Sequence, residues 1–230
     1  MELTAQSSTE DILSALEASA DPARLAEMKR VGIKTDTAIG LSNPELRQIA
    51  KAVGVNHARA AALWQSPVRE SKMLALLTFD PGELTQENML ALAGDFVSWE
   101  MVDLAADLFV EARFDAEIVS LFAQDDREFV RRTAFAMIAG AAVHRKKEPD
   151  GSFMALFPLI EAHAADGRNF VKKAVSWALR NVGMRNVRCH RAAIALAEKL
   201  AASDERAKAW VGRDALRYLA DPKRIARLKA

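Results

Sequence analysis

A tryptophan and an aspartate stand four residues apart in the segment SWEMVD, residues 98–103. Residues 96–111 have helical periodicity, and their apolar side is formed by Val97, Met101, Leu104, Ala105 and Leu108. Trp99 and Asp103 fall on the other side of this helix, one turn apart. A carboxylate and an electron-rich ring on one helix face are groups that can stabilise a positive charge.

Basic and aromatic residues are interleaved on two later helical segments, FVRRTAFA at 129–136 and NFVKKAVSWALR at 169–180. The residues that lie off the apolar stripes of these segments are Arg131, Arg132, Phe170, Lys172, Lys173, Trp177 and Arg180. Cations neutralise phosphates, and flat rings pack on sugars or bases. The pattern predicts a nucleic-acid-binding surface.

The charge of the chain is unevenly distributed, although its net charge is only +1. Residues 1–120 hold 10 Lys/Arg against 19 Asp/Glu, a net charge of about −9. Residues 121–230 hold 22 against 12, a net charge of about +10. This asymmetry indicates a polyanion as partner of the second half, and the alternative is an unevenly charged solvated surface.

Helical periodicity runs through nearly the whole chain, and no convincing alternating strand is visible. The predicted helices are 9–19, 21–30, 43–53, 56–65, 67–78, 85–95, 97–112, 114–124, 126–141, 153–164, 167–182, 187–201 and 204–219. Prolines in the first turn mark several of the starts, as at Pro44 and Pro67. The stretch 32–40, GIKTDTAIG, is predicted to be irregular.

An aromatic-Val pair opens a predicted helix four times, at Phe96, Phe129, Phe170 and Trp210. The spacings of 33, 41 and 40 residues are in the range of helical solenoid repeats, in which each helix pair buries its apolar face on its neighbours. We therefore predict an all-α fold, an α-solenoid with a concave binding face, over a single domain 1–230. Residues 1–8 and 221–230 are expected to be loosely ordered.

Several functional classes lack their sequence signatures. The motifs G-x-S-x-G, the P-loop and G-x-G-x-x-G are absent from the sequence. The four histidines are scattered, and with the single Cys189 they form no zinc pattern, so no metal or other cofactor is expected. No apolar run is long enough for a membrane span, and a cytoplasmic location, without a membrane partner, is the expectation.

The candidate residues also have purely structural interpretations. Trp99 would then pack against the preceding helix, and Asp103 would be an ordinary surface charge. Trp177 borders the apolar stripe of its helix, so packing explains it as well as function does. Trp64 and Trp210 are interpreted as core or packing residues.

Three segments in this order, FVSWEMVD, FVRRTAFA and NFVKKAVSWALRNVGMRN, resemble the DNA alkylation repair proteins of the AlkD type. These proteins are DNA glycosylases built as HEAT-like α-solenoids. The resemblance runs from about residue 24 to residue 219. It implies removal of cationic N3- and N7-alkylated purines from duplex DNA, without base flipping. We expect the protein to act as a monomer and to need no cofactor.

The resemblance also assigns roles to individual residues. The family's catalytic aspartate matches Asp103, and the tryptophan one turn before it matches Trp99. The DNA-contacting arginine matches Arg132, the second tryptophan matches Trp177, and the aromatic residue that begins that helix matches Phe170. The chain departs from the family pattern where Asn169 precedes Phe170 and where Arg131 stands in place of a neutral polar residue, which leaves lesion preference and DNA affinity open.

Two other functions stay open at this point. A non-enzymatic HEAT-repeat protein that binds damaged or branched DNA would use the same basic surface without excision. A protein-binding HEAT scaffold would not retain DNA at moderate salt and would have no need of the pair Trp99 and Asp103.

Overall fold

The computed structural model describes residues 2–228 and shows a helical chain without strands in that range. Its helices are α1 (Thr9–Ala18), α2 (Leu25–Arg30), α3 (Asn43–Val53), α4 (His57–Trp64), α5 (Arg69–Thr78), α6 (Gln86–Gly94), α7 (Trp99–Ala112), α8 (Ala116–Gln124), α9 (Glu128–His144), α10 (Asp150–Met154), α11 (Phe157–His163), α12 (Asn169–Gly183), α13 (Val187–Ala201), α14 (Arg206–Leu219) and α15 (Pro222–Ile225). Short 3₁₀ turns at Pro22–Arg24 and Pro81–Glu83 complete the regular structure.

Five helices, α5, α7, α9, α12 and α14, pack side by side in chain order. A second set, which includes α4, α8 and α13, packs against this row. The last three helices of the row carry the aromatic-Val pairs near their N-terminal ends, and in α7 the pair lies just before the helix. This arrangement is a two-layer α-solenoid, and it confirms the predicted fold class.

A series of phenylalanine rings fills the interface between the layers. The Phe96 and Phe109 rings lie 6.2 Å apart, and the Phe109 and Phe122 rings lie 5.7 Å apart. Phe109, Phe122 and Phe135 are fully buried. Because each such ring contributes about 1.5–3 kcal/mol when it leaves water, these contacts fix the helices from which the binding surface is built.

Three details of the helix prediction are wrong. The predicted helix 153–164 is two helices, α10 and α11, because Pro158 lies in the first turn of α11 and cannot supply the hydrogen bond that would continue α10. Helix α7 begins at Trp99 and not at residue 97, so Val97 is 43% exposed and is not a core residue. The segment 21–30 begins with a 3₁₀ turn, and α2 follows from Leu25.

The irregular segment between α2 and α3 has the conformation that its glycines permit. Gly32 and Gly40 have φ angles of 83° and 95°, in the region that disfavours any residue with a Cβ. At Gly40 a Cβ would lie 2.1 Å from the carbonyl oxygen of Asp21, so no larger residue fits there. The prediction of an irregular segment at 32–40 is confirmed.

The single domain and the loosely ordered ends stay predictions. Both expected end segments make hydrogen bonds. In the first, the carbonyl oxygens of Ala5 and Ser7 accept hydrogen bonds from the buried Arg59 on α4, and in the second, Asp221 caps α15. Met1, Lys229 and Ala230 lie outside the described residues. None of the described helices has the length and apolarity needed to cross a bilayer.

Candidate functional site

The N-terminal turns of α7 bring Trp99 and Asp103 to one side of the helix, as the four-residue spacing predicts. Both side chains are half-buried. The Trp99 indole Nε1 donates a hydrogen bond of 3.2 Å to the carbonyl oxygen of Val31, in the segment that follows α2. Trp99 is therefore held by a backbone contact to a residue 68 positions earlier, which the sequence did not reveal.

Trp99 and Asp103 line a cleft of about 440 Å³ between α7, α9 and α12. The residues around it are Val31, Trp99, Asp103, Arg132, Phe170, Lys173, Trp177 and Arg180. Seven of these eight were candidates from the sequence, and Val31 was not. Among the described residues of this lining, Asp103 is the only acidic one, and three cations and three aromatic rings accompany it.

Arg132 and Asp103 form an ion pair across the cleft. The Arg132 Nη2 donates to Asp103 Oδ1 over 2.7 Å, and the Arg132 Nη1 donates to the carbonyl oxygen of Phe170 over 2.9 Å. The Arg132 side chain is only 7% exposed. Arg132 therefore lines the cleft, as the sequence predicts, but most of its side chain is buried between α7 and α12.

The pKa of Asp103 is raised above its ordinary value. Burial is the largest cause, because removal from water disfavours the charged form, and the nearby Asp107 adds to the rise. The guanidinium of Arg132 opposes this shift without reversing it. The carboxylate thus stands in a poorly solvated place, where an ionised group interacts strongly with any positive charge that approaches.

Arg131 and Lys172 do not line the cleft, although the sequence placed them on the same surface. Arg131 binds Asp166, which precedes α12, over 3.0 Å, and Asp126, which precedes α9, over 2.9 Å. Lys172 Nζ lies 4.9 Å from the ring centre of Trp210. Adjacent residues on a helix point about 100° apart, so Arg132 and Lys173 reach the cleft and their neighbours do not.

Asp166 shows how strongly this second cluster is paired. Its burial would raise the pKa of its carboxyl, but hydrogen bonds from Arg168 and Arg131 outweigh that effect and lower the pKa to about 2. Arg168 and Arg131 are thereby fixed to a carboxylate that stays ionised. These ion pairs connect the first turn of α9 with the segment that precedes α12, and DNA contact by Arg131 stays a prediction.

A buried charge cluster supports α7 from behind, and no pattern in the sequence indicated it. Arg69 binds Glu100 over 2.5 Å and Glu70 over 3.0 Å, and all three side chains are at most 6% exposed. Burial raises the pKa of Glu100, against the attraction of Arg69. Glu70 also accepts hydrogen bonds of 3.0 Å from the backbone N–H groups of Ile39 and Gly40.

This cluster joins the segment 31–41 to the helix that carries Asp103. Glu70 fixes one end of the segment, and the bond from Trp99 to Val31 fixes the other.

Within residues 2–228, no group of three His, Cys, Asp or Glu residues has the geometry of a metal site.

The fold and the cleft together define a helical-repeat protein whose concave site, as far as residues 2–228 describe it, is basic and aromatic and contains one carboxylate. A family model described as DNA alkylation repair enzyme matches residues 12–219. The chain belongs to this family of DNA alkylation repair enzymes.

One of the similar solved structures supports the fold. One similar structure represents proteins described as a new family related to the HEAT-like repeat DNA glycosylases, with affinity for branched DNA structures. It has a TM-score of 0.74 and 13% sequence identity, and the match covers 92% of this chain and 95% of that chain. At this identity the likeness shows the HEAT-like fold alone. A designed armadillo repeat protein gives a TM-score of 0.38 at 17% identity, with 94% of this chain and 96% of that chain covered. No curated protein matches the chain.

Proposed function

We propose that this protein is a DNA glycosylase that hydrolyses the N-glycosidic bond of cationic N3- and N7-alkylated purines in duplex DNA. The observation that carries the proposal is the carboxylate of Asp103 in the cleft, where the other charged residues among the described lining are cations. A carboxylate in a phosphate-binding cleft repels DNA. Its presence there is explained if it stabilises positive charge during a reaction.

The chemistry fits one carboxylate without a second acid. An alkylated purine that already carries a positive charge leaves without protonation, unlike the leaving group of a sugar polymer, which needs a general acid. Its departure leaves an oxocarbenium-like deoxyribose, a developing cation. Asp103 stabilises that cation and orients the attacking water, and its oxygen takes up the proton that the water releases.

The size of the effect is large enough to matter. At about 4 Å and an effective dielectric constant of about 20, two unit charges attract by roughly 4 kcal/mol. An attraction of that size, made only in the transition state, accelerates the reaction about a thousandfold. The raised pKa of Asp103 points in the same direction, because it marks a carboxylate with little water to screen it.

The other residues of the cleft hold and position the duplex. Trp99 stands one turn from Asp103 and offers its ring to the same sugar, a cation–π contribution of about 1 kcal/mol. Lys173 is exposed beside the cleft and neutralises a phosphate, and Arg180 neutralises another. Phe170 and Trp177 pack on the sugar edge. The base stays in the duplex, since the proposed contacts need only the deoxyribose and the phosphates.

A second candidate is a non-enzymatic protein that binds branched DNA. Two observations favour it. The similar solved structure represents proteins described as having affinity for branched DNA. In addition, the ion pair with Arg132 partly neutralises Asp103 in the DNA-free protein, so the carboxylate alone does not require catalysis.

One experiment separates the two candidates. Methylated duplex DNA is incubated with the protein, and the release of 7-methylguanine and 3-methyladenine is measured beside binding to intact and four-way-junction DNA. Release of either base supports the glycosylase. Tight binding to junctions without release of a base supports the structural DNA binder. If the protein binds neither intact nor four-way-junction DNA at moderate salt, both candidate functions are excluded. The protein-binding scaffold is then the function that is left.

A further inference from the structure

Two arginine side chains converge on one tyrosine ring next to the cleft. The guanidinium carbon of Arg180, on α12, lies 4.9 Å from the centre of the Tyr218 ring on α14. The guanidinium carbon of Arg224, on α15, lies 3.7 Å from the same centre. Each contact is favourable as a cation–π interaction. The two cations repel each other, however, and an anion bound beside the ring would relieve that repulsion.

Each of these arginines has an acidic neighbour and stays partly exposed. Arg224 Nε lies 3.3 Å from Asp221 Oδ2, and the Arg224 side chain is 41% exposed. Arg180 Nη1 lies 3.6 Å from Asp214 Oδ2, which already accepts a hydrogen bond of 2.7 Å from the Ser176 hydroxyl. The other oxygen of Asp214 accepts from Arg217 over 2.5 Å. The Arg180 side chain is 25% exposed and lines the cleft, so its guanidinium is accessible to an anionic ligand there.

The tyrosine also connects the cleft with a second groove. Arg180 lines the cleft that contains Asp103, and Tyr218 lines an adjacent groove of about 740 Å³. We call this the C-terminal groove, and its lining includes Lys146, Asn181, Tyr218 and Arg227. A duplex seated on Asp103 would extend past Arg180 toward it.

The charges of the C-terminal groove favour an anion as well. Its two acidic residues, Glu148 and Asp150, face Arg145 at 3.8 Å and Arg185 at 3.3 Å. Asn186 donates a further hydrogen bond of 2.7 Å to Asp150. In the described part of the chain, Lys146 and Arg227 have no carboxylate within salt-bridge distance. The groove thus presents a surplus of positive charge.

Helix α15 lies beyond the part of the chain that the family model matches, which ends at residue 219. Arg224 and Arg227 therefore lie outside the matched residues. We propose that Arg224, held against the Tyr218 ring, and Arg227 extend the DNA-binding surface beyond the cleft and neutralise phosphates of the duplex that flanks the lesion. This proposal rests on the proposed DNA-binding function, and it specifies a second contact region.

Salt dependence of binding tests the proposal. Equilibrium binding to one alkylated duplex of about 30 base pairs, about three helical turns, is measured over a series of NaCl concentrations. Removing one cation that neutralises a phosphate reduces the slope of log K against log salt by about 0.9. The double variant Arg224→Ala/Arg227→Ala should therefore lower the slope by about two units, and Lys173→Ala, in the cleft, by about one.

Two further variants sharpen the result. Lys199→Ala removes an exposed cation on α13, in the second set of helices, where it pairs with Glu161 on α11 and lines neither the cleft nor the C-terminal groove. Its slope should equal that of the wild type. The triple variant Lys173→Ala/Arg224→Ala/Arg227→Ala should show the sum of the two separate reductions, because the two regions contact different phosphates. Thermal unfolding of each variant shows that it is folded.

The possible failures are distinguishable. If Lys173→Ala lowers the slope and Arg224→Ala/Arg227→Ala leaves it unchanged, the C-terminal contact region does not exist, and the proposed function stands. If the wild type itself does not bind DNA, both proposals are overturned. If the reduction in Lys199→Ala equals the reduction per charge in the double variant, net charge explains the effect and the assigned contacts are wrong.

Discussion

Asp103 on α7 and Arg132 on α9 face each other from neighbouring helices of the row, with 2.7 Å between the carboxylate oxygen and the guanidinium nitrogen. Burial raises the pKa of Asp103 in spite of this partner. The pair has two consequences for a reaction that generates positive charge. Arg132 fixes the direction of the carboxylate, and its own charge competes with the developing cation for it. The contribution of Arg132 to catalysis is therefore measurable through Asp103.

Asp103→Asn should abolish most excision and preserve DNA binding. The amide keeps the shape of the side chain but removes the charge, so single-turnover release of 7-methylguanine should fall by about a hundredfold to a thousandfold. The matched control is Asp107→Asn, one turn along α7, which lines a different pocket with His144. Excision by the two variants at similar rates would remove Asp103 from the mechanism.

Excision should lose activity in acid at a higher pH than an exposed aspartate would produce. The pKa of Asp103 in the folded protein is raised above that of an exposed aspartate. At a pH between these two pKa values, Asp103 is mostly protonated, whereas an exposed aspartate is mostly ionised. Since the reaction needs the ionised form, the rate should decline as the pH falls through the raised pKa. The pH profile of single-turnover excision measures this limb.

Arg132→Ala should move the acidic limb of that profile to still higher pH. Arg132 lowers the pKa of Asp103 by its charge and its hydrogen bond, so its removal leaves the effect of burial unopposed. Lys173→Ala serves as the control, because Lys173 also lines the cleft but makes no hydrogen bond to Asp103. A limb at the wild-type position in Arg132→Ala would show that the ion pair does not form in solution.

Trp99→Ala should slow excision about five- to tenfold, equivalent to about 1 kcal/mol, and Trp99→Phe should retain most of the rate. The phenylalanine keeps an aromatic face but loses the hydrogen bond to the Val31 carbonyl oxygen. Because Trp99 is only half-buried, both variants should unfold close to the wild-type temperature. A large decrease in melting temperature for Trp99→Ala without a change in rate would favour the packing interpretation.

Arg69→Ala should be strongly destabilising, because it leaves the buried carboxylates of Glu70 and Glu100 without their cation. Breaking a buried pair in this way costs about 3–5 kcal/mol, which lowers the melting temperature by roughly 10 °C in a chain of this size. Arg113→Ala removes an arginine from an exposed cluster with Asp115 and Glu117, and should lower the melting temperature far less, because water screens exposed ion pairs. Equal melting temperatures for the two variants would contradict the supporting role of Arg69.

Most of the candidate site could be predicted from the sequence, for a local reason. An α-helix turns about every 3.6 residues wherever it lies in the fold. Residues spaced three or four apart therefore share a helix face, as Trp99 and Asp103 do on α7 and Lys173, Trp177 and Arg180 do on α12. The caps and prolines that start the helices are also local. The class of fold followed from the repeat of the aromatic-Val pairs, since such a repeat implies that each unit is completed by its neighbours.

The tertiary structure alone decided which of two adjacent cations reaches the cleft. Arg132 and Lys173 line it, whereas Arg131 and Lys172 bind Asp166 and the Trp210 ring. The rotation of a helix about its own axis is set by packing against partners distant in sequence, so no local pattern contains it. The same holds for the carbonyl of Val31 at Trp99 and for the cluster around Arg69, whose members join segments about 30 to 70 residues apart. The sequence by itself thus determined the helices, their repeat and the chemical character of one face. Long-range packing decided how that face is oriented, which of its cations reach the cleft and which distant segments hold it in place.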